Sequence, residues 1–288
     1  MKICVSSYSF TKLMNKGELD QLSAIAKAKE LGFDGIEFAG IKPHDGSSNE
    51  EYARKLKAEA DRLEFPVASF VFGADLINGT EGRTPDQEVE YVKSMVDIGQ
   101  ILGVPVIRHD VLYSLGDYPD FSAVIPELSC RVRQVTEYAA GKGIRTSVEN
   151  HGFICQDPDR CVALHEAVNH PNFGLLCDIG NFLCADAEPA AAVAMVAPYA
   201  IFAHAKDFYV KSGDQPDPGR GFFKSRGGNY LKGTIIGHGN VPVVQCLQTL
   251  KDTGYDGFLS LEFEGMEDNI EALQIGLENL RRYISELK

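Results

Sequence analysis

Residues 173–182 read FGLLCDIGNF, an apolar run that ends on a carboxylate, Asp178. Working outward, the same arrangement recurs on both sides. TSVENHG (146–152) presents Glu149, AIFAHAKDF (200–208) presents His204, and FLSLEFEG (258–265) presents Glu262. Each of these polar residues lies near the C-terminal end of a short apolar segment that reads as a β-strand. Two Glu, one Asp and one His form a suitable oxygen-and-nitrogen set for a single divalent metal ion. Residues so far apart in sequence can meet only if their strands are neighbours running in one direction.

The rest of the chain supplies such strands. Ile3–Phe10 reads as the first, followed by a helical pattern through Leu19, Leu22, Ala26 and Leu31. GFDGIEF (32–38) gives a second strand ending near Glu37, and a charged helix occupies about Asn49–Leu63. VASFVF starts the third strand at Val67, and Pro85 and Asp86 open a helix to about Leu102. VPVIRHD is the fourth strand, ending at His109 and Asp110, with a helix over about Phe121–Lys142. RTSVEN follows as the fifth strand. Asp157 and Pro158 then read as N-cap and first-turn proline of a helix ending before Asn169. Phe173–Asp178, an alanine-rich helix and Ala200–His204 come next. A helix near Val241–Thr253, the strand Gly257–Glu262 and a helix over about Glu267–Leu287 complete the alternation. Eight strand–helix units without a composition break indicate an α/β protein, a (β/α)8 TIM barrel formed as one domain from residues 1–288. A doubly wound open sheet is the competitor. It would more often carry GxGxxG after the first strand, where this chain has Ser6, Ser7, Tyr8 and Ser9.

Bulk properties agree with a barrel enzyme. At 288 residues the chain is near the size of one such barrel. No apolar run is long enough for a membrane span, and MKICVSSYSF lacks the pattern of a signal peptide. The seven cysteines include no CxxC pair, and Cys4, Cys155, Cys161, Cys177 and Cys184 fall in or beside elements. Buried reduced thiols and a cytoplasmic location are expected. A formal charge of −13 disfavours nucleic acid and anionic membrane as partners.

In a barrel, strand C-termini form the active-site face. Glu149, Asp178, His204 and Glu262 would then project into one bowl from strands five to eight. Left alone, adjacent carboxylates repel and raise one another's pKa values, a conflict that a divalent cation resolves.

The chain resembles the xylose-isomerase-like TIM-barrel superfamily, in its sugar-phosphate isomerase/epimerase branch. The resemblance covers essentially the whole chain. It rests on GFDGIEF (32–38), VEN (148–150), CDIGN (177–181), HAKD (204–207), GHGNVP (237–242) and LSLEFE (259–264), in that order. It implies that Glu149, Asp178, His204 and Glu262 bind one divalent ion, Mn, Co, Mg or Zn. It also implies that Glu149 and Glu262 are the catalytic pair in an isomerase or epimerase of a small sugar or keto-sugar, phosphorylated or not. The chemistry is proton abstraction beside a ketone through a metal-stabilised enediolate. Return of the proton to the same carbon from the opposite face epimerises it, and return to the neighbouring carbon isomerises the sugar.

One residue departs from the pattern. Some ketose epimerases carry a substrate-binding histidine three residues after the metal aspartate, where this chain has Asn181. His151 and His109 are alternative polar groups, and Glu37 is placed to bind substrate or to stabilise the barrel mouth. Lys206 falls on the same side of its strand as His204 and could hold an oxyanion.

The connection 209–240, between the seventh strand and its helix, is long and rich in Gly and Pro, as lids are. From Lys206 to Lys232 there are six Lys or Arg against three Asp. Arg226, followed by two glycines, is expected to contact substrate, and His238 to line the bowl once the segment closes. Subunit contact in a homo-oligomer is the alternative role of this segment. A lyase or dehydratase using the same enolate step is the runner-up function. An apurinic endonuclease would need a richer zinc ligand set and a basic DNA-binding stripe. A non-catalytic sugar-binding protein would lack the metal.

Overall fold

The computed structural model describes residues 1–288. Eight parallel strands close into a barrel: β1 (Lys2–Ser6), β2 (Gly35–Ala39), β3 (Val67–Phe72), β4 (Val106–His109), β5 (Arg145–Glu149), β6 (Phe173–Asp178), β7 (Ala200–Ala205) and β11 (Phe258–Leu261). Around the ring the order is β1-β11-β7-β6-β5-β4-β3-β2, so each strand lies beside its sequence neighbour in the alternation and the last closes on the first. The fold is the expected (β/α)8 barrel.

The helices are α1 (Thr11–Asn15), α2 (Gln21–Leu31), α3 (Asn49–Arg62), α4 (Pro85–Leu102), α5 (Phe121–Ala140), α6 (Pro158–Val168), α7 (Pro189–Val196), α8 (Val243–Asp252) and α9 (Asn269–Glu286). Local signals start and stop them. Ser48 with Glu51 and Thr84 with Gln87 form reciprocal capping pairs that satisfy first-turn N–H groups. Gly32 ends α2 at φ +96°, a left-handed conformation open to glycine at little cost, and turns the chain into β2. The helices bury their apolar faces on the outside of the barrel in one continuous core, with Phe38, Phe70, Ile107 and Leu164 fully enclosed.

The local structure adds detail to the expected elements at three places. The first strand ends at Ser6 rather than Phe10, because the Ser6 hydroxyl accepts the Tyr8 N–H and starts a tight 3-10 turn over Ser7–Phe10. Asp157 stands at the N-cap of α6 but makes no capping hydrogen bond; its carboxylate is taken by Arg226 and Arg160. The segment expected as a lid folds into its own antiparallel sheet, β8 (Asp207–Lys211), β9 (Phe223–Lys224) and β10 (Tyr230–Thr234), in the order β8-β10-β9. Asp207 anchors this sheet, its buried carboxylate accepting the backbone N–H groups of Phe208, Gly237, Gly239 and Val241. All seven cysteines are unpaired and all but Cys130 are buried. No helix is long and apolar enough to cross a membrane.

Candidate metal centre

The strand register sets the centre. Asp178 on β6 pairs directly with His204 on β7, and His204 with Ser260 on β11, one position before the last strand residue. Glu149 ends β5, and Glu262 follows β11 with its N–H on the carbonyl of Ala205. Glu149, Asp178, His204 and Glu262 are all buried, and one ligand atom from each lies within 4.8 Å of the others.

His204 organises the group. Its Nε2 lies 2.9 Å from Oε1 of Glu37, and both side chains are fully buried. A proton on Nε2 leaves the Nδ1 lone pair for a metal ion. Nδ1 has no hydrogen-bond partner and stands 3.7, 3.8 and 3.6 Å from oxygens of Glu149, Asp178 and Glu262. Asp178 is prepared in the same way. Its Oδ1 accepts the N–H groups of Gly180 (2.7 Å) and Asn181 (3.0 Å), and its buried Oδ2 has no hydrogen-bond donor. A side chain at Gly180 would bring its Cβ within 2.5 Å of the Lys206 carbonyl oxygen, so this turn needs glycine. Asn150 ties β5 to β6, accepting the Asp178 N–H and donating to its carbonyl, both at 2.9 Å. Bond lengths of about 2.0–2.2 Å to N and O ligands place opposite ligands of one ion about 4 Å apart, so the donor set fits a divalent cation.

Protonation follows from this crowding. Burial pushes the Asp178 carboxyl up to about 6, the charge of Glu149 adding to it against the nearby Lys206 amine. Burial opposes a charge on His204, but Glu37 and Glu149 raise it well above its ordinary value. Burial would raise Glu262, yet Lys206 and His204 hold it well below the usual carboxylate range.

The centre forms one side of a cavity of about 430 Å³ at the strand C-termini, lined by Glu149, Glu262, Lys206 and His151 among others. The remaining expected residues separate into those that meet the centre and those that do not. Lys206 Nζ lies 2.6 Å from Glu262 and 3.6 Å from Asp178. Asn181 donates to Oε1 of Glu149 at 2.8 Å and accepts from Lys206 at 3.3 Å. His151 lines the cavity with Nδ1 3.0 Å from Asp110. Glu37 lies beneath the centre, held by His204 and by the Ser260 hydroxyl at 3.2 Å, and does not reach the cavity.

His109 turns the other way. It is fully buried, its Nδ1 donates to the Asp110 carbonyl at 2.8 Å, and its ring lies against Phe72. Arg226 chelates Asp157 and donates to the carbonyl of Phe153, away from the cavity. His238 is exposed in the turn that Asp207 holds. No residue of 209–240 lines the cavity.

Two functional candidates escaped the sequence reading. Arg108 places Nη2 2.7 Å from Oε2 of Glu149 and Nη1 3.1 Å from Asp110. Burial would raise Asp110, but Arg108 and His151 hold it well below the usual carboxylate range. Alternation could have found Arg108, since consecutive residues of VIRH face opposite ways and only one can face the bowl. Glu264, two residues after Glu262, reaches the cavity by the same alternation.

The sequence profile of the xylose isomerase-like TIM barrel family matches residues 25–283. The L-ribulose-5-phosphate 3-epimerase UlaE of Salmonella heidelberg is 23% identical over 263 residues, 86% of this chain and 83% of that protein. The D-allulose 3-epimerase of Methylomonas sp. superposes with a TM-score of 0.72 at 19% identity, covering 98% of both chains. The probable 3-DHS dehydratase AsbF of Bacillus anthracis does so with a TM-score of 0.72 at 19% identity, covering 98% of this chain and 99% of its own. The two structures have the same fold.

Proposed function

Because the chain belongs to the xylose isomerase-like TIM barrel family, we propose that it is a metal-dependent isomerase or epimerase of a small keto-sugar. The observation that carries the reading is the ring of His204: Nε2 is fixed on Glu37, and Nδ1 is unpartnered among the oxygens of Glu149, Asp178 and Glu262. These four residues would hold one divalent ion, Mn, Co, Mg or Zn. When bound, the ion supplies Lewis acidity that eases removal of a proton beside the substrate carbonyl.

The chain's own residues do the rest. Arg108 and Asn181 hydrogen-bond or ion-pair with Glu149, while Lys206 pairs with Glu262. Lys206 and His204 hold Glu262 as a carboxylate, the form a general base needs. Both glutamates line the cavity, so a sugar carbon between them could lose a proton to one and regain it from the other. Epimerisation and aldose–ketose isomerisation differ only in the carbon that receives the proton. His151, which lines the cavity, would position a substrate hydroxyl, and Asn181 would position Glu149.

The test is exchange in heavy water. Protein loaded in turn with Mn2+, Co2+, Mg2+ or Zn2+ is incubated with a panel of ketoses and followed by NMR. Deuterium at the carbon beside the carbonyl, together with a new epimer or aldose, is the expected outcome. An unsaturated product instead would assign a dehydratase, and absence of exchange with every ion would refute the proton-transfer reading.

A further inference from the structure

The cavity has two unlike walls. Arg108, Glu149, Lys206, Glu262 and Glu264 form one; Ile41, Val71, Phe72, Tyr91 and Met95 form the other. The polar wall comes from the side of the barrel that carries the metal centre, and the apolar wall from β3, α4 and the chain just beyond β2.

Each cation on the polar wall is already engaged. Arg108 sits between Glu149 and Asp110. Lys206 lies 2.6 Å from Glu262, 3.6 Å from Asp178 and 3.9 Å from Glu264. Arg226 is held by Asp157, Lys224 by the ring of Tyr230 and Lys232 by the ring of Tyr209, and no basic residue of 209–240 lines the cavity. Glu37, Asp110, Glu149, Asp178, Glu262 and Glu264 surround or underlie the cavity. Their charge exceeds that of Arg108, Lys206 and one divalent ion together. A phosphate group brings up to two negative charges and needs several donors, and this cavity has no free cation to meet it. On the apolar side only the exposed Asn49 and the Tyr91 hydroxyl can hydrogen-bond, so a hydroxyl pressed against Phe72 or Met95 would give up its water without replacement.

Resting on the reading of this site as a proton-transfer centre for keto-sugars, we infer that the substrate is an uncharged ketose whose end remote from the carbonyl is apolar, a terminal-deoxy ketose, and that the site rejects sugar phosphates. The carbonyl end faces the polar wall and the terminal methyl meets Phe72 and Met95. His151, fixed through Nδ1 on Asp110, offers its other ring nitrogen to a hydroxyl between the two ends.

The experiment compares ligands that differ only at the terminal carbon. D-fructose and L-sorbose, each with its 6-deoxy and 6-phosphate derivative, are titrated calorimetrically into Mn2+-loaded protein, and deuterium exchange is followed in parallel. Within each series the 6-deoxy sugar is expected to bind about tenfold more tightly than the parent. The 6-phosphate is expected to bind at least about tenfold more weakly. Glu264→Gln should narrow the phosphate penalty and leave the deoxy preference unchanged. A 6-phosphate that binds as well as its parent, a parent preferred to its 6-deoxy form, or no binding by any of the six overturns the inference. The predicted binding order without deuterium exchange would support the charge and apolar selectivity while refuting the keto-sugar proton transfer on which the substrate assignment rests.

Discussion

Oε1 of Glu37, on β2, lies 2.9 Å from Nε2 of His204, on β7, and β1 and β11 lie between those strands in the barrel wall. The contact crosses the barrel interior beneath the cavity. It favours Nε2 as the protonated nitrogen of His204 and leaves Nδ1 facing the carboxylates, although Glu37 itself does not line the cavity.

Loss of that contact should therefore appear first in metal affinity. Glu37→Gln keeps the shape of the side chain but removes the charge that favours the Nε2 proton. Manganese affinity by competition with a chelating dye should fall about 10–100-fold. Activity at saturating metal should fall much less. Unaltered affinity would mean that Glu37 does not set the tautomer.

Metal uptake should depend on pH in a definite direction. Asp178 is raised to about 6 by burial, and His204 is raised above its ordinary value by Glu37 and Glu149 despite burial. A raised acid stabilises the metal-free fold at low pH and loses that contribution as pH climbs through its folded value. A raised histidine behaves in the same sense, its contribution lost as pH passes its own raised value. Both protons must leave before the ligands bind an ion. The gap in Tm between manganese-loaded and metal-free protein should therefore widen between about pH 5 and pH 8. In weak buffer at neutral pH, uptake should release about one proton per ion. A flat gap with no proton release contradicts this linkage.

Removing a ligand should remove the ion. Metal content of dialysed Asp178→Ala and His204→Ala, measured by plasma mass spectrometry, should drop several-fold from the parent. Full occupancy in both would dissolve the assignment.

Arg108→Ala should be costly to the fold. It strips the cation from Glu149 and Asp110, both buried, at a cost of about 3–5 kcal/mol in chemical denaturation. Arg108→Lys should recover part of that loss. Equal stability of the alanine variant and the parent would mean that water or His151 compensates both carboxylates.

Arg226 gives the opposite expectation. Its guanidinium is partly exposed and spans Asp157 and the Phe153 carbonyl. Arg226→Ala should cost about 1 kcal/mol or less of stability and leave kcat/KM unchanged once substrate is in hand. A large fall in kcat/KM at unchanged stability would restore a substrate-reading role.

What the sequence disclosed and what it concealed have physical causes. Strand ends at Glu149, Asp178, His204 and Glu262 were legible because apolar runs stop where the barrel opens to polar chemistry. The side of a strand was harder to read. In VIRH either Arg108 or His109 could face inward, and a histidine draws attention that an arginine in a short strand does not. Choosing His109 inverted a two-residue alternation. The 209–240 segment was ambiguous in another way. Its glycines and prolines mark turns between β8, β9 and β10, but such residues read equally well as hinges. Long-range pairings, such as Glu37 with His204 and Arg226 with Asp157, leave no local trace in the sequence.

The anchoring of the excursion by Asp207 has a kinetic meaning. Four backbone N–H groups converge on that carboxylate, and no residue of 209–240 lines the cavity. The amides of Gly237, Gly239 and Val241 should exchange slowly with solvent hydrogen, as parts of the barrel rather than of a moving flap. Ligand arrival would then need no prior closure or opening by this segment. In stopped-flow measurements the observed binding rate should rise linearly with ligand concentration, without the plateau that a slow gate imposes.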